Sequence, residues 1–351
     1  MSSDVSGLNT FSVDRLPMSL RREAARAASL GFGDQTPSAF AVRLNFQGCL
    51  SPVNAEAYDG NRGCHDTFPA LGFTIVPMLA QVLCPAKVNL FLAVGPKDSR
   101  NYHPLRTIFQ AIDLCDVVTI EKGEGKHRVV FDDPSIPADN TVTRALRLLN
   151  EVISLPPLLV TIEKHIPAES GLGGGSSDAA GVLRAAQKIA GVSIPLPELS
   201  GIAQAIGMDV PFFLTGGRAK AEGYGHIVTA QPDAPTEWIV VARPAVGTST
   251  PEAYRQLDDK TYEWRDFPSG DELYNDFERV APCESLDLIE ALQTLGAKDA
   301  GLSGSGSAVF GRFDSEESAK KCVAQITEKG AQRAWVARSL TRSESLRMSG
   351  S

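Results

Sequence analysis

Between Pro167 and Ala180 the chain reads PAESGLGGGSSDAA, and no other stretch narrows the possible fold as far. Ahead of it, Leu158 to Lys164 (LLVTIEK) is an aliphatic and β-branched run that predicts a strand. Behind it, Ala179, Val182, Leu183, Ala186, Ile189 and Ala190 recur at helical spacing, and Gly191 stands where a C′ glycine would end the helix. A strand, a glycine loop and the first turn of a helix make a cradle for a polyphosphate. Glycines let the backbone approach the anion, and the helix N-terminus adds unpaired N–H donors and about half a positive charge. Ser176 and Ser177 add hydroxyls within reach of phosphate oxygens or a bound Mg²⁺.

Other glycine loops fail on spacing. A Walker loop ends in Gly-Lys-Ser/Thr, and no lysine stands here. A dinucleotide fingerprint begun at Gly171 or Gly173 would need glycine or alanine at 176 or 178, where Ser176 and Asp178 stand. The His-Arg-Asp and Asp-Phe-Gly signatures of protein kinases are missing.

A chain of 351 residues has room for two domains of about 100–200 residues each. The net charge of -8 argues against nucleic acid or a membrane surface as partner, and no apolar run is long enough to span a bilayer. Cys49, Cys64, Cys84, Cys115, Cys283 and Cys322 are scattered without C-x-x-C spacing, as in a cytosolic protein with reduced thiols. Residues 1–77 contain no lysine and no sustained periodicity, so they read as a flexible extension, a targeting segment for a plastid or other organelle, or a stretch upstream of a start at Met78. The remaining chain divides at the proline-bearing run Gln231–Thr236 into domains over 78–233 and 234–342, with a polar, frayed tail over 343–351.

Along this chain, alternation over Val82–Val94 places Lys87, Asn89 and Phe91 on one strand face, as a polar pair or as an ordinary solvated edge. Asn101 to Phe109, Leu114 to Glu121 and Val129 to Phe131 predict further strands. Asn140 suits the N-cap of a helix over Val142–Val152. Asp209 has two readings, a cap for a helix with Pro211 in its first turn, or a catalytic carboxylate among apolar neighbours. Beyond 236 the pattern predicts a strand at Trp238, a helix from Thr248, a helix over Ser285–Leu295, a second glycine turn at Ser303-Gly304-Ser305-Gly306, a helix from Ser315 and a strand near Trp335.

The glycine stretch resembles the phosphate-binding motif of the GHMP kinases. Pro85 to Leu90, Tyr102-His103, Asp209 to Phe212, Asn275 to Glu278 and Leu302 to Gly306 extend the resemblance, in order, to the branch that phosphorylates 4-diphosphocytidyl-2-C-methyl-D-erythritol in non-mevalonate isoprenoid synthesis. The resemblance implies an α+β fold of two domains, the first with a left-handed βαβ crossover and the second ferredoxin-like, with ATP and a small-molecule substrate in the cleft between them. It implies that Lys87 and Asp209 are catalytic. It places Asn140, Lys164, Pro167, Gly171, Leu172, Gly173, Gly174, Gly175, Ser176 and Ser177 around ATP, and Asn89, Tyr102, His103, Thr250 and Tyr254 around the cytidyl substrate. Mg²⁺ is expected with the nucleotide, through ligands the sequence leaves unnamed; monomer and homodimer stay open. Asn101 stands where the family has glycine before Tyr-His, and His226 where an acidic residue is common. Rival readings are a GHMP kinase for another alcohol, such as homoserine or mevalonate, and a ligand sensor on the same fold, which would be expected to lack the lysine or the base.

Overall fold

The two most β-rich stretches become the two longest strands, β1 (Leu79–Val94) and β2 (Leu105–Lys122), paired antiparallel along nearly their whole length. The computed structural model describes residues 79–258 and 263–349, all within one unit spanning Gly72–Ser351; the expectations for residues 1–77 lie outside the described residues. The segments expected as separate strands around 101–109 and 114–121 are one strand, β2, because the residues between them pair with β1 as well. Pro85 has no N–H for the ladder, and the register shifts beside it, between Pro85 and Ala86.

The chain continues through β3 (Arg128–Phe131), α1 (Thr141–Val152), β4 (Leu158–Glu163), α2 (Gly174–Ala190), α3 (Leu196–Ile206) and α4 (Val210–Thr215). β3 and β4 are parallel neighbours joined through α1, a βαβ unit, and β4 lies against β2. The hairpin of β5 (Arg218–Glu222) and β6 (Ile227–Ala230) returns to the other end of β2. Helices α1 to α4 cover one face of this sheet, where Val82, Phe109, Val118 and Val160 meet Leu149, Leu183 and Phe212.

After β7 (Trp238–Arg243) come α5 (Thr250–Asp258), β8 (Tyr274–Asn275), α6 (Cys283–Thr294), β9 (Asp299–Leu302), β10 (Val309–Phe313), α7 (Glu316–Ile326) and β11 (Arg333–Arg338). The second sheet has the antiparallel order β11-β7-β10-β9, which with α6 and α7 as crossovers is a ferredoxin-like arrangement. Period-two alternation divides β7. Val240 and Ala242 face the helices with Leu288, Leu292 and Ala319, whereas Ile239 and Val241 face Ala86, Val88 and Leu90 of β1. The two sheets therefore pack face to face, and β1 is buried on both sides from Cys84 onward.

Through Ser349 the tail is not frayed. α8 (Arg342–Ser345) is closed by a capping box from Thr341, and β12 (Met348–Ser349) pairs with Gln81 and Val82. Sequence polarity had hidden this, because a single turn of helix and two strand residues have too few positions to show a period.

Candidate active site

The second edge of β1 pairs with β12 only at Gln81–Val82 and with β8 only at Phe91–Leu92. Between these points the glycine loop fills the gap, with the Lys87 N–H donating to the Leu172 carbonyl at 2.9 Å. The second glycine turn closes on the same place. Ser303 Oγ donates to the Gly171 carbonyl at 3.1 Å, and Asn275 Nδ2 donates to the carbonyls of Leu302 and Gly304 at 2.8 Å each. Gly171 has φ +79°, and a Cβ there would lie 2.1 Å from the Ser303 carbonyl oxygen, so glycine is required twice over.

A cleft of about 770 Å³ opens above this seam. Its floor holds Lys87, 3 % exposed, and Asn89, 4 % exposed, so the solvated-edge reading of Lys87 is overturned: β1 is an interior strand. Lys87 Nζ donates to Asn89 Oδ1 at 2.5 Å and lies 5.3 Å from the Phe109 ring centroid. Asn89 Oδ1 also accepts the Gly304 N–H at 2.8 Å, while its Nδ2 donates to Thr107 Oγ1 at 2.8 Å. Phe91 is not with them. The register shifts again between Asn89 and Phe91, and Leu92 takes its place in the cleft lining.

Asp209 lies across the cleft, its Oδ2 3.9 Å from Lys87 Nζ. It precedes α4, with Pro211 in the first turn, but its φ of −84° and ψ of −15° are already helical and its side chain makes no capping hydrogen bond. The carboxylate is thus left to the cleft, at 36 % exposure. Burial pushes the Lys87 ammonium below its ordinary value, and the facing Asp209 carboxylate pulls it back up.

The glycine loop runs into α2 with Gly173 at φ +77°, and the first helical bond is Ser177 N–H to the Gly173 carbonyl at 2.9 Å. The N–H groups before Ser177 precede that bond, as at any helix start. Pro167, Gly171, Gly173, Gly174, Gly175 and Ser176 line the cleft. Leu172 and Ser177 are buried behind it, and Ser177 Oγ has no hydrogen-bond partner. Asn140 and Lys164 line the same end of the cleft. Asn140 caps α1, its Oδ1 accepting from Val142 and Thr143 at 2.9 and 3.0 Å. Lys164 donates to Asp116 and Asp178.

Beyond Gly304, which lies at the seam, Thr250, Tyr254 and Ser305 also line the cleft, and Thr250 Oγ1 meets Ser305 Oγ at 2.8 Å. Tyr254 stacks on His103, centroids 5.2 Å apart, and sets its edge on Phe277. The Nδ1 of His103 is 2.8 Å from the Gly95 carbonyl, and its Nε2 lies 3.1 Å from Asp258 Oδ1 but off the hydrogen-bond direction. Tyr102 is 65 % exposed beside Tyr224. Asn101 adopts φ +64°, which asparagine tolerates better than most residues and which accounts for its standing in for glycine.

Sequence reasoning missed Thr107, Asp116 and Asp178. Asp116, set in the locally apolar run Leu114-Cys115-Asp116-Val117-Val118, carried the signal: a carboxylate there is buried and so must have partners.

Residues 140–217 match the GHMP kinases N terminal domain family, and residues 275–332 match the GHMP kinases C terminal family. A 4-diphosphocytidyl-2-C-methyl-D-erythritol kinase of Citrifermentans bemidjiense is 37 % identical over 268 residues, 71 % of this chain and 94 % of the relative. The chain belongs to the 4-diphosphocytidyl-2-C-methyl-D-erythritol kinase family. A second member, from Clostridium botulinum, is 33 % identical over 270 residues, 70 % of this chain and 94 % of its own. A crystal structure of a 4-(cytidine 5'-diphospho)-2C-methyl-D-erythritol kinase superposes with a TM-score of 0.65 at 31 % identity, covering 74 % of this chain and 98 % of that one. A homoserine kinase from Cytophaga hutchinsonii, 18 % identical with a TM-score of 0.61 over 80 % of this chain and all of its own, shares the fold. The chain is an ATP-dependent kinase for a small-molecule alcohol, with the α+β fold of the GHMP kinases. Among the described residues no helix is long and apolar enough to cross a membrane.

Proposed function

We propose that the cleft transfers the γ-phosphoryl group of ATP to the 2-hydroxyl of 4-diphosphocytidyl-2-C-methyl-D-erythritol, the substrate named for its relatives. The carrying observation is the facing of Lys87 and Asp209 at 3.9 Å between the glycine loop and the half of the cleft lined by Thr250 and Tyr254. Phosphoryl transfer asks a protein mainly for in-line placement and for neutralisation of charge. The loop and the start of α2 would hold the phosphates, with Asn140 beside the nucleotide. Asp209 would take the hydroxyl proton, and Lys87, held by Asn89, would steady the developing alkoxide. A tertiary alcohol is a hindered nucleophile, so orientation contributes as much as the base. Tyr254 and Tyr102 would offer the cytosine aromatic faces, while the His103 ring, stacked on Tyr254 with its Nδ1 at the Gly95 carbonyl and its Nε2 buried beside Asp258, would hold Tyr254 in place.

Mg²⁺ would arrive with ATP. No group of three His, Cys, Asp or Glu side chains that could hold a metal stands among the described residues, which suits a cation carried by phosphates and water rather than by a protein cage. Bound with the nucleotide, it would supply charge neutralisation at the phosphates.

A coupled ATP assay on the purified chain tests the reading. Turnover with the cytidyl substrate, and sharply lower kcat/KM with methylerythritol 4-phosphate, is the expected result. Equal use of the truncated alcohol would remove the cytidyl assignment, and turnover of homoserine or mevalonate alone would replace it.

A further inference from the structure

The ammonium of Lys164 sits between two carboxylates from different elements. Asp116 on β2 accepts from it through Oδ2, and Asp178 in α2 accepts from it at 2.7 Å. Asp116 is 0 % and Asp178 1 % exposed, and the lysine side chain is 10 % exposed. The other oxygen of Asp116 accepts the N–H groups of His165 and Ile166 at 2.6 and 2.8 Å, where the chain leaves β4 for the glycine loop. One end of the loop is thus fastened to Asp116, the other end, one turn into α2, to Asp178, and a single ammonium joins the two. The ends themselves touch: a Cβ on Gly174 would lie 3.0 Å from Ile166 Cγ2 and 3.3 Å from Asp116 Oδ2. Burial alone would lower the Lys164 ammonium, but the two carboxylates more than offset it and raise it above its ordinary value.

We propose that Asp116, Lys164 and Asp178 form a clamp that fixes the curvature of the glycine loop, making both carboxylates positioning residues for ATP. Without one member a buried charge loses its partner and the loop ends can part, which misplaces the backbone N–H groups aimed at the phosphates. The family resemblance puts Lys164 at the nucleotide wall on its own. The two readings diverge on the carboxylates, which face the lysine and the backbone, and which a purely direct lysine–nucleotide contact would not require.

The test measures binding of a fluorescent ATP analogue, per active site and without any alcohol, on the full chain carrying Lys164→Met, Asp116→Asn or both. Steady-state constants accompany it. The clamp predicts that each single change weakens nucleotide binding about tenfold or more while KM for the alcohol stays within about twofold. It also predicts that the double variant is no worse than the poorer single, since the lysine then leaves together with one of its two partners. Tight nucleotide binding by Asp116→Asn alongside weak binding by Lys164→Met would overturn the clamp in favour of a direct contact. So would additive losses in the double, or a lower melting temperature with unchanged binding per active site. Should Asp116→Asn fail to fold, the isosteric Asp178→Asn is read by the same criteria.

Discussion

At the scale of single residues, the chemistry rests on one carboxylate whose position in the sequence disguised it. Asp209 stands where a helix cap would stand, and only its helical backbone and uncapped side chain free it for the cleft. Asp209→Asn is therefore expected to lower kcat by on the order of 10²–10⁴, with KM for ATP within a few-fold, by steady-state kinetics. Lys87→Ala should act similarly, and the pair together should cost far less than the product of the single losses, because each acts through the other. Asp178 carries a different prediction. Burial first, and then the nearby Asp116 carboxylate, push its carboxyl up to about 7. The folded chain then keeps a proton that the unfolded chain releases near pH 4, so this group's contribution to stability is present in acid and is lost as pH rises from about 4 through 7. Melting curves across that window should show Asp178→Asn gaining on the parent as pH rises; parallel curves would remove the assignment. Lys87, Asn89 and the glycines were legible because motif spacing and strand alternation name them. Phe91 was misread because alternation assumes an unbroken ladder, and a register shift leaves no mark on residue types.

At the scale of elements, the strand–loop–helix unit and most helices were legible from local pattern. What stayed hidden depended on partners distant in sequence: the continuity of β2, the burial of β1 on both faces, and the docking of β12 onto Gln81. Helix α2 shows how far packing can override propensity. Alanine in a helix interior is ordinarily about 1 kcal/mol better than glycine. At Gly181, however, a Cβ would lie 2.4 Å from Cys84 Sγ on β1. Gly181→Ala is expected to melt below the parent, at an overpacking cost of about 1–3 kcal/mol. Adding Cys84→Ala should recover part of that loss, and a stabilised Gly181→Ala single variant would show that the helix can retreat from the sheet.

At the scale of the whole molecule, every residue placed around the cleft lies between Lys87 and Ser305, so a chain begun at Met78 contains the full constellation. Its ATP-dependent turnover is expected within about twofold of the full chain, and its melting temperature within a few degrees; a larger loss would show that residues 1–77 take part. Tyr254→Ala should raise KM for the cytidyl substrate more than for ATP, since the two ligands are assigned opposite ends of one cleft and stacking on a base is worth roughly 1–3 kcal/mol. The near contact of Gly171 with Ser303 bears on how such a cleft can move. Two backbones pressed together without an intervening side chain act as a fulcrum, so any breathing must swing about that point. Displacement then grows with distance from it and is least where phosphates would sit. Hydrogen exchange should follow the same gradient, slowest at the Lys87 and Ser303 amides.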